Sequence, residues 1–170
     1  MGAKEWLDRE DAICGRDRES RLEWLAQMMS TREYATFPGA NLTKFLFEEA
    51  RYCFVYGQFI ASIMLGAAYI EHTLAALLYA AGRSDLERAN ATTLLRQAVT
   101  LGWIDQADFE GFDNVRSLRN SVSHFRKPLH EETVEYRSLA NDEMPYSVLE
   151  EDARIILRVV FKLLSRCTAF

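Results

Sequence analysis

Cysteine, proline and histidine are scarce in this 170-residue chain, and each shortage excludes something. Its three cysteines, Cys14, Cys53 and Cys167, are odd in number and far apart, with no C-x-x-C pair. Neither a disulfide framework nor a zinc ribbon is therefore indicated, and buried or half-buried thiols are expected. The three histidines add no metal-ligand spacing, so no metal is expected. Gly-rich phosphate loops, internal repeats, low-complexity tracts and long heptad runs are all missing, and no cofactor is implied. Positive charge is short as well: the formal net charge is -5. That argues against a protein coated in nucleic acid but leaves room for one local basic site.

What is present favours helices. Three prolines and eight glycines leave few breaks, and Leu, Ala, Glu and Arg are abundant. With 49% hydrophobic content, the length suits one soluble domain with a sizeable core. The start of the chain has no apolar signal-peptide core, and Trp6 sits where a myristoylation signal calls for Ser or Thr. A cytoplasmic chain is expected.

Residues 1–18 read as a polar, loosely held arm, and a first helix is expected after Ser20 with Leu22 and Leu25 on one face. Phe37-Pro38-Gly39 forces a turn, and Asn41 is the expected N-cap of the next helix. From Tyr52 to Ile70 the chain is uncharged, a length that would permit a membrane span. Arg51 and Glu71 close it in, Gly57-Gln58 interrupts it, and no polybasic flank sets an orientation. A buried helical hairpin with its turn at Gly57 is the reading, with Tyr52, Phe54, Tyr56 and Phe59 in the core or an interface. His72 is expected in the core or an interface, and His130 in a loop.

Asn90 is expected to cap a short helix closed by Gly102, and Asp105 to open the next one, which Pro128 bounds. One helical turn is expected near Glu131–Arg137. Pro145 starts a last long helix, apolar on nearly all sides, which belongs in a bundle centre or an interface. The expected fold is all-α, an up-and-down helical bundle over 39–170 with an N-terminal arm and helix over 1–38.

The chemistry concentrates in VRSLRNSVSHF, Val115 to Phe125. Arg119 offers a permanent cation whose fork of donors matches a phosphate. Asn120 follows it, and His124 can give or take a proton near neutral pH. Arg116, Arg126 and Lys127 surround them, against Asp113 alone between Gly111 and His130. On a helical wheel Phe112, Val115, Leu118, Val122 and Phe125 form the buried face. Arg119 and His124 bracket the other sector at roughly 140°, so one helix aims both poorly at a single phosphate. Two copies across a two-fold axis would share a cleft. An Arg followed by His at loose spacing arises by chance in about one such chain in two; adding Asn and one fixed spacing lowers this to about one in a hundred.

RNSVSH resembles the Arg-x4-6-His signature of the HEPN superfamily, helical domains in which a polar residue, often Asn, follows the arginine. EEARYCFVYGQFIASIMLGAAYIEHTLAALL, Glu48 to Leu78, is similar to the opening hairpin of that superfamily, with a Gly-aromatic turn before a Glu-bearing helix. LLRQAVTLGWI resembles its short connecting helix. The likeness covers about residues 41–165. It implies a dimerising four-helix bundle that often acts as a metal-independent endoribonuclease. Carried onto this chain, His124 is the general acid or base and Arg119 the phosphate-holding, charge-stabilising group. Asn120 orients one of them, Glu71 lends support from the neighbouring helix, and Arg116, Arg126 and Lys127 bind substrate. A homodimer acting on RNA is implied, with an antitoxin or nucleotidyltransferase as the partner of a toxin or defence effector. Two residues after the His, where some toxin members carry a modified Tyr, this chain has Arg126. Many such domains are catalytically silent, so a dimerisation or ligand-binding module is the alternative.

Overall fold

The structure is a computed structural model and describes residues 2–29 and 36–167. The protein is an all-α helical bundle. Among the described residues there are seven α-helices: α1 (Ala3–Met28), α2 (Ala40–Val55), α3 (Phe59–Ala80), α4 (Ala91–Thr100), α5 (Gln106–Ser123), α6 (Val134–Asn141) and α7 (Pro145–Cys167). A single 3-10 turn, Ser84–Leu86, joins α3 to α4.

Helix α3 is the axis of the bundle. It pairs with α2 as a hairpin and also packs on α7, α4 and α5. The hairpin turn works because Gly57 takes φ +73°, a left-handed conformation that costs glycine nothing. A second glycine matters for packing: a Cβ on Gly66 would lie 2.6 Å from Ile156 Cγ2, so its absence lets α7 approach α3 closely. Phe54, Ile63, Leu74, Leu78, Ile156 and Leu157 fill the space between and are almost fully buried. Phe47 crosses Phe161 edge-on at 5.6 Å and tilts against Tyr69 at 5.7 Å. By length and composition α3 could cross a membrane, yet ten of its 22 residues are buried against its neighbours.

Three local expectations are corrected. The first helix begins at Ala3, not after Ser20. The stretch read as a loose arm has no proline and pairs its own charges, Lys4 with Asp8 and Arg18 with Asp11, which sustains a helix with little burial. The N-terminal unit read over 1–38 includes 30–35, which lie outside the described residues. Asn41 is not an N-cap: the turn from Phe37 closes on the Ala40 N–H at 3.2 Å and leads directly into α2, placing Asn41 in its first turn. Of the four aromatics expected in the core or an interface, Phe54 and Phe59 are core, and Tyr52 and Tyr56 lie on the surface of the single chain, stacked on each other at 4.4 Å. Phe47, Ala50 and Phe54 set the inner side of α2, and Tyr52 and Tyr56 fall opposite. The single turn near Glu131–Arg137 is a two-turn helix, α6, starting at Val134 with the Thr133 hydroxyl as its cap. His72, expected in the core or an interface, lies on the surface of the single chain.

Other boundaries fall where local chemistry puts them. The Asn90 side chain caps α4, accepting from the Thr93 N–H at 2.9 Å. Gly57, Gly102 and Pro145 mark helix ends or starts. Asp105 and Asp108 make a reciprocal capping box at the start of α5. Asp108 is buried and ion-paired to Lys162 and Arg166 of α7, which clamps α5 to the last helix.

Candidate functional site

The clamp at Asp108 fixes one end of α5; its other end carries the motif. Phe112 and Val115 are buried, and Leu118 and Val122 pack on the core edge. That face sets the rotation of the helix and turns Arg119 toward α3. There the Arg119 Nη2 donates to Glu71 Oε1 at 2.9 Å. The pair is half-exposed, with side chains 27% and 37% accessible. Arg119 spends one donor on this bond; among the described residues its Nε and Nη1 have no hydrogen-bond partner.

The helix stops at Ser123. His124 takes an extended backbone (φ -121°, ψ 134°), and its N–H still reaches the Asn120 carbonyl at 3.2 Å. Two consequences follow. The imidazole stands exposed at the helix end, lining an open groove of about 610 Å³. Phe125, read on the wheel as buried, is swung off the helix and is 89% exposed. The wheel does not extend past Ser123, so the angle expected between Arg119 and His124 does not apply.

The apolar lining of the groove includes Val122, Leu149, Leu129 and Ile60 of α3. Ser121, Arg126, Thr133 and Glu135 supply polar atoms around it. Leu129 holds φ +61°, a left-handed conformation that costs a bulky residue about 1 kcal/mol or more. Val134 and Glu135 bring the start of α6 to the groove, and α6 is pinned by the two-pronged ion pair of Arg137 with buried Asp152 at 2.6 and 2.9 Å.

The structure thus brings Glu71 to Arg119, and His124 to Arg126, but does not place Arg119 on the wall of the groove that His124 lines. Asn120 meets His124 through its backbone carbonyl; among the described residues no side-chain hydrogen bond ties Asn120 to Arg119 or His124. Arg116 is held by Asp113 of its own helix at 2.8 Å and keeps that carboxyl below the usual range. Arg126 binds Glu132 at 2.8 Å, which lowers the Glu132 carboxyl likewise. The positive excess between Gly111 and His130 is therefore largely met by Glu71 and Glu132, both outside that window. Lys127 is exposed and, among the described residues, has no ion pair.

Phe125, Ser121, Leu129 and Thr133 were not legible as site residues. Pro128 is the usable signal: it disfavours helix at Lys127 and so puts a helix end within a few residues of Phe125. Chemically the site offers an exposed acid–base, an anchored guanidinium with donors to spare, and an apolar groove between helices. Among the described residues no three His, Cys, Asp or Glu side chains converge on a metal site. Comparison with protein-family models, with curated proteins and with solved structures finds no match to this chain.

Proposed function

We propose that this chain is a HEPN-type, metal-independent endoribonuclease that cleaves RNA at a site shared between two copies, as a cytoplasmic toxin or defence effector. One observation carries this: His124, at the end of α5, is exposed on a groove of about 610 Å³, while Arg119 within α5 is anchored to Glu71 and keeps two donor positions free among the described residues. The volume lies within the range of about 300–1,000 Å³ common for ligand sites. In the proposed reaction His124 takes the proton from a ribose 2′-hydroxyl, whose oxygen attacks the adjacent phosphorus. The 5′-oxygen of the next nucleotide leaves and is protonated, by the imidazolium or by water. Arg119 stabilises the extra negative charge on the phosphoryl oxygens. The products are a 2′,3′-cyclic phosphate and a 5′-hydroxyl. Because Arg119 is not on the wall of the His124 groove, a second copy across a two-fold axis is the proposed way of bringing both to one phosphate.

A second reading, a catalytically silent dimerisation or ligand-binding module, is favoured by the pairing of Arg116, Arg119 and Arg126 with carboxylates. The two separate on incubation of the protein with a mixed RNA pool in EDTA and analysis of the ends. Fragments ending in 2′,3′-cyclic phosphate support the nuclease. Intact RNA at micromolar protein favours the module and turns attention to an antitoxin-like or nucleotidyltransferase partner.

A further inference from the structure

Phe125 is the most exposed large hydrophobic side chain among the described residues, at 89%, and it directly follows His124. Scattered surface apolar residues need no explanation, but this one lines the same groove as the imidazole, beside Leu129 in its left-handed conformation. The helix end produces the exposure: His124 turns extended and sends the ring outward instead of onto the core face continued from Val122. We propose that Phe125 forms a nucleobase subsite, in which an unpaired base of single-stranded RNA stacks on its ring while the attached ribose meets His124.

Three features of the groove suit this occupant. Aromatic stacking is tolerant of base identity and needs a face that water can leave, which Phe125 provides. The Glu135 carboxylate and the Ser121 hydroxyl oxygen, whose proton goes to the Leu118 carbonyl, line the same groove and can accept from donors on a base edge. Exposed Lys127, two residues after Phe125 and without an ion pair among the described residues, puts a cation near the position of a flanking phosphate, whereas Arg126 at the groove is engaged by Glu132. A duplex keeps its bases stacked internally, so the subsite discriminates against it.

The proposal rests on RNA being the substrate, and its test reads binding rather than cutting. In a His124→Ala background, a fluorescent single-stranded oligonucleotide and its duplex are titrated against the parent, Phe125→Ala and Phe125→Trp, with light scattering on each protein. Phe125→Ala is expected to weaken single-strand binding about tenfold, Phe125→Trp to retain it, and the duplex to bind at least tenfold more weakly than the single strand. A 2-aminopurine placed in the strand should lose fluorescence on the parent and much less on Phe125→Ala. Unchanged affinity in Phe125→Ala, or equal binding of the duplex, overturns the subsite. A loss of affinity that accompanies dissociation into single chains assigns Phe125 to a contact between copies and overturns it too. Single-strand binding through Phe125 by a wild-type protein that never cuts RNA leaves the subsite standing and removes the nuclease instead.

Discussion

The Arg119 guanidinium of α5 is held at 2.9 Å by the Glu71 carboxylate of α3, across a helix interface and 48 residues back in the chain. A half-exposed pair of this kind contributes about 0–1 kcal/mol to stability, so its value lies in aiming the guanidinium. Glu71→Gln is expected to lower the rate of RNA cleavage about tenfold while the thermal midpoint moves by no more than about 2–4 °C. Single-turnover kinetics beside a melting curve separate this from a structural role, in which the midpoint falls and the rate does not.

Asp108 is where the fold is most exposed to acid. Burial pushes its carboxyl up, but hydrogen bonds from Lys162 and Arg166 and from the Asp105 N–H outweigh this and hold it at about 2. With an unfolded value near 3.9, this depressed group stabilises the fold above about pH 4, and the contribution is lost as pH falls toward 2. Asp108→Asn is expected to lose on the order of 1–2 kcal/mol at pH 7, discounted because the Lys162 amine is half-exposed. Circular-dichroism melts should show a midpoint lower by about 2–8 °C at pH 7 and a gap that narrows between about pH 4 and pH 2.

Gly66 leaves no room for a side chain between α3 and Ile156 of α7. Gly66→Val places a side chain into Ile156, whose Cγ2 already lies 2.6 Å from a bare Cβ position, and is expected to destabilise by about 1–3 kcal/mol. Urea denaturation should register this as a lower midpoint with an unchanged slope.

Lys127 is the cation of the motif region that no carboxylate among the described residues engages. Lys127→Ala is expected to weaken RNA binding across sequences and to reduce the slope of log affinity against log salt by about 0.7. Arg116→Ala, which chiefly frees Asp113, should change that slope less. Equal slopes in all three proteins would remove Lys127 from the RNA path.

Much of this fold was legible because its boundaries rest on local chemistry. Asn90 and Asp105 cap the helices that follow them, Gly57 turns the hairpin, and Pro145 opens α7. Period-based readings went wrong where a helix ended or a charge pattern substituted for burial. Phe125 fits the apolar spacing of α5, but the helix is over two residues before it. The start of α1 has no apolar face to read; its helix is sustained by pairs such as Lys4–Asp8. At the site, Arg119, Asn120 and His124 are a local pattern and could be seen. The Glu71 partner emerged from a resemblance between hairpins, since nothing local links residues 71 and 119. That Arg116 and Arg126 are neutralised depends on which carboxylates they reach in the fold.

The most direct test compares the wild type with His124→Ala and Arg119→Ala on one single-stranded RNA in EDTA, with circular dichroism verifying that each variant is folded. Wild-type cutting that falls at least about 100-fold in both variants is the result predicted for an acid–base imidazole and a charge-stabilising guanidinium. RNA left intact by the wild type, or cut equally well by either variant, would contradict it.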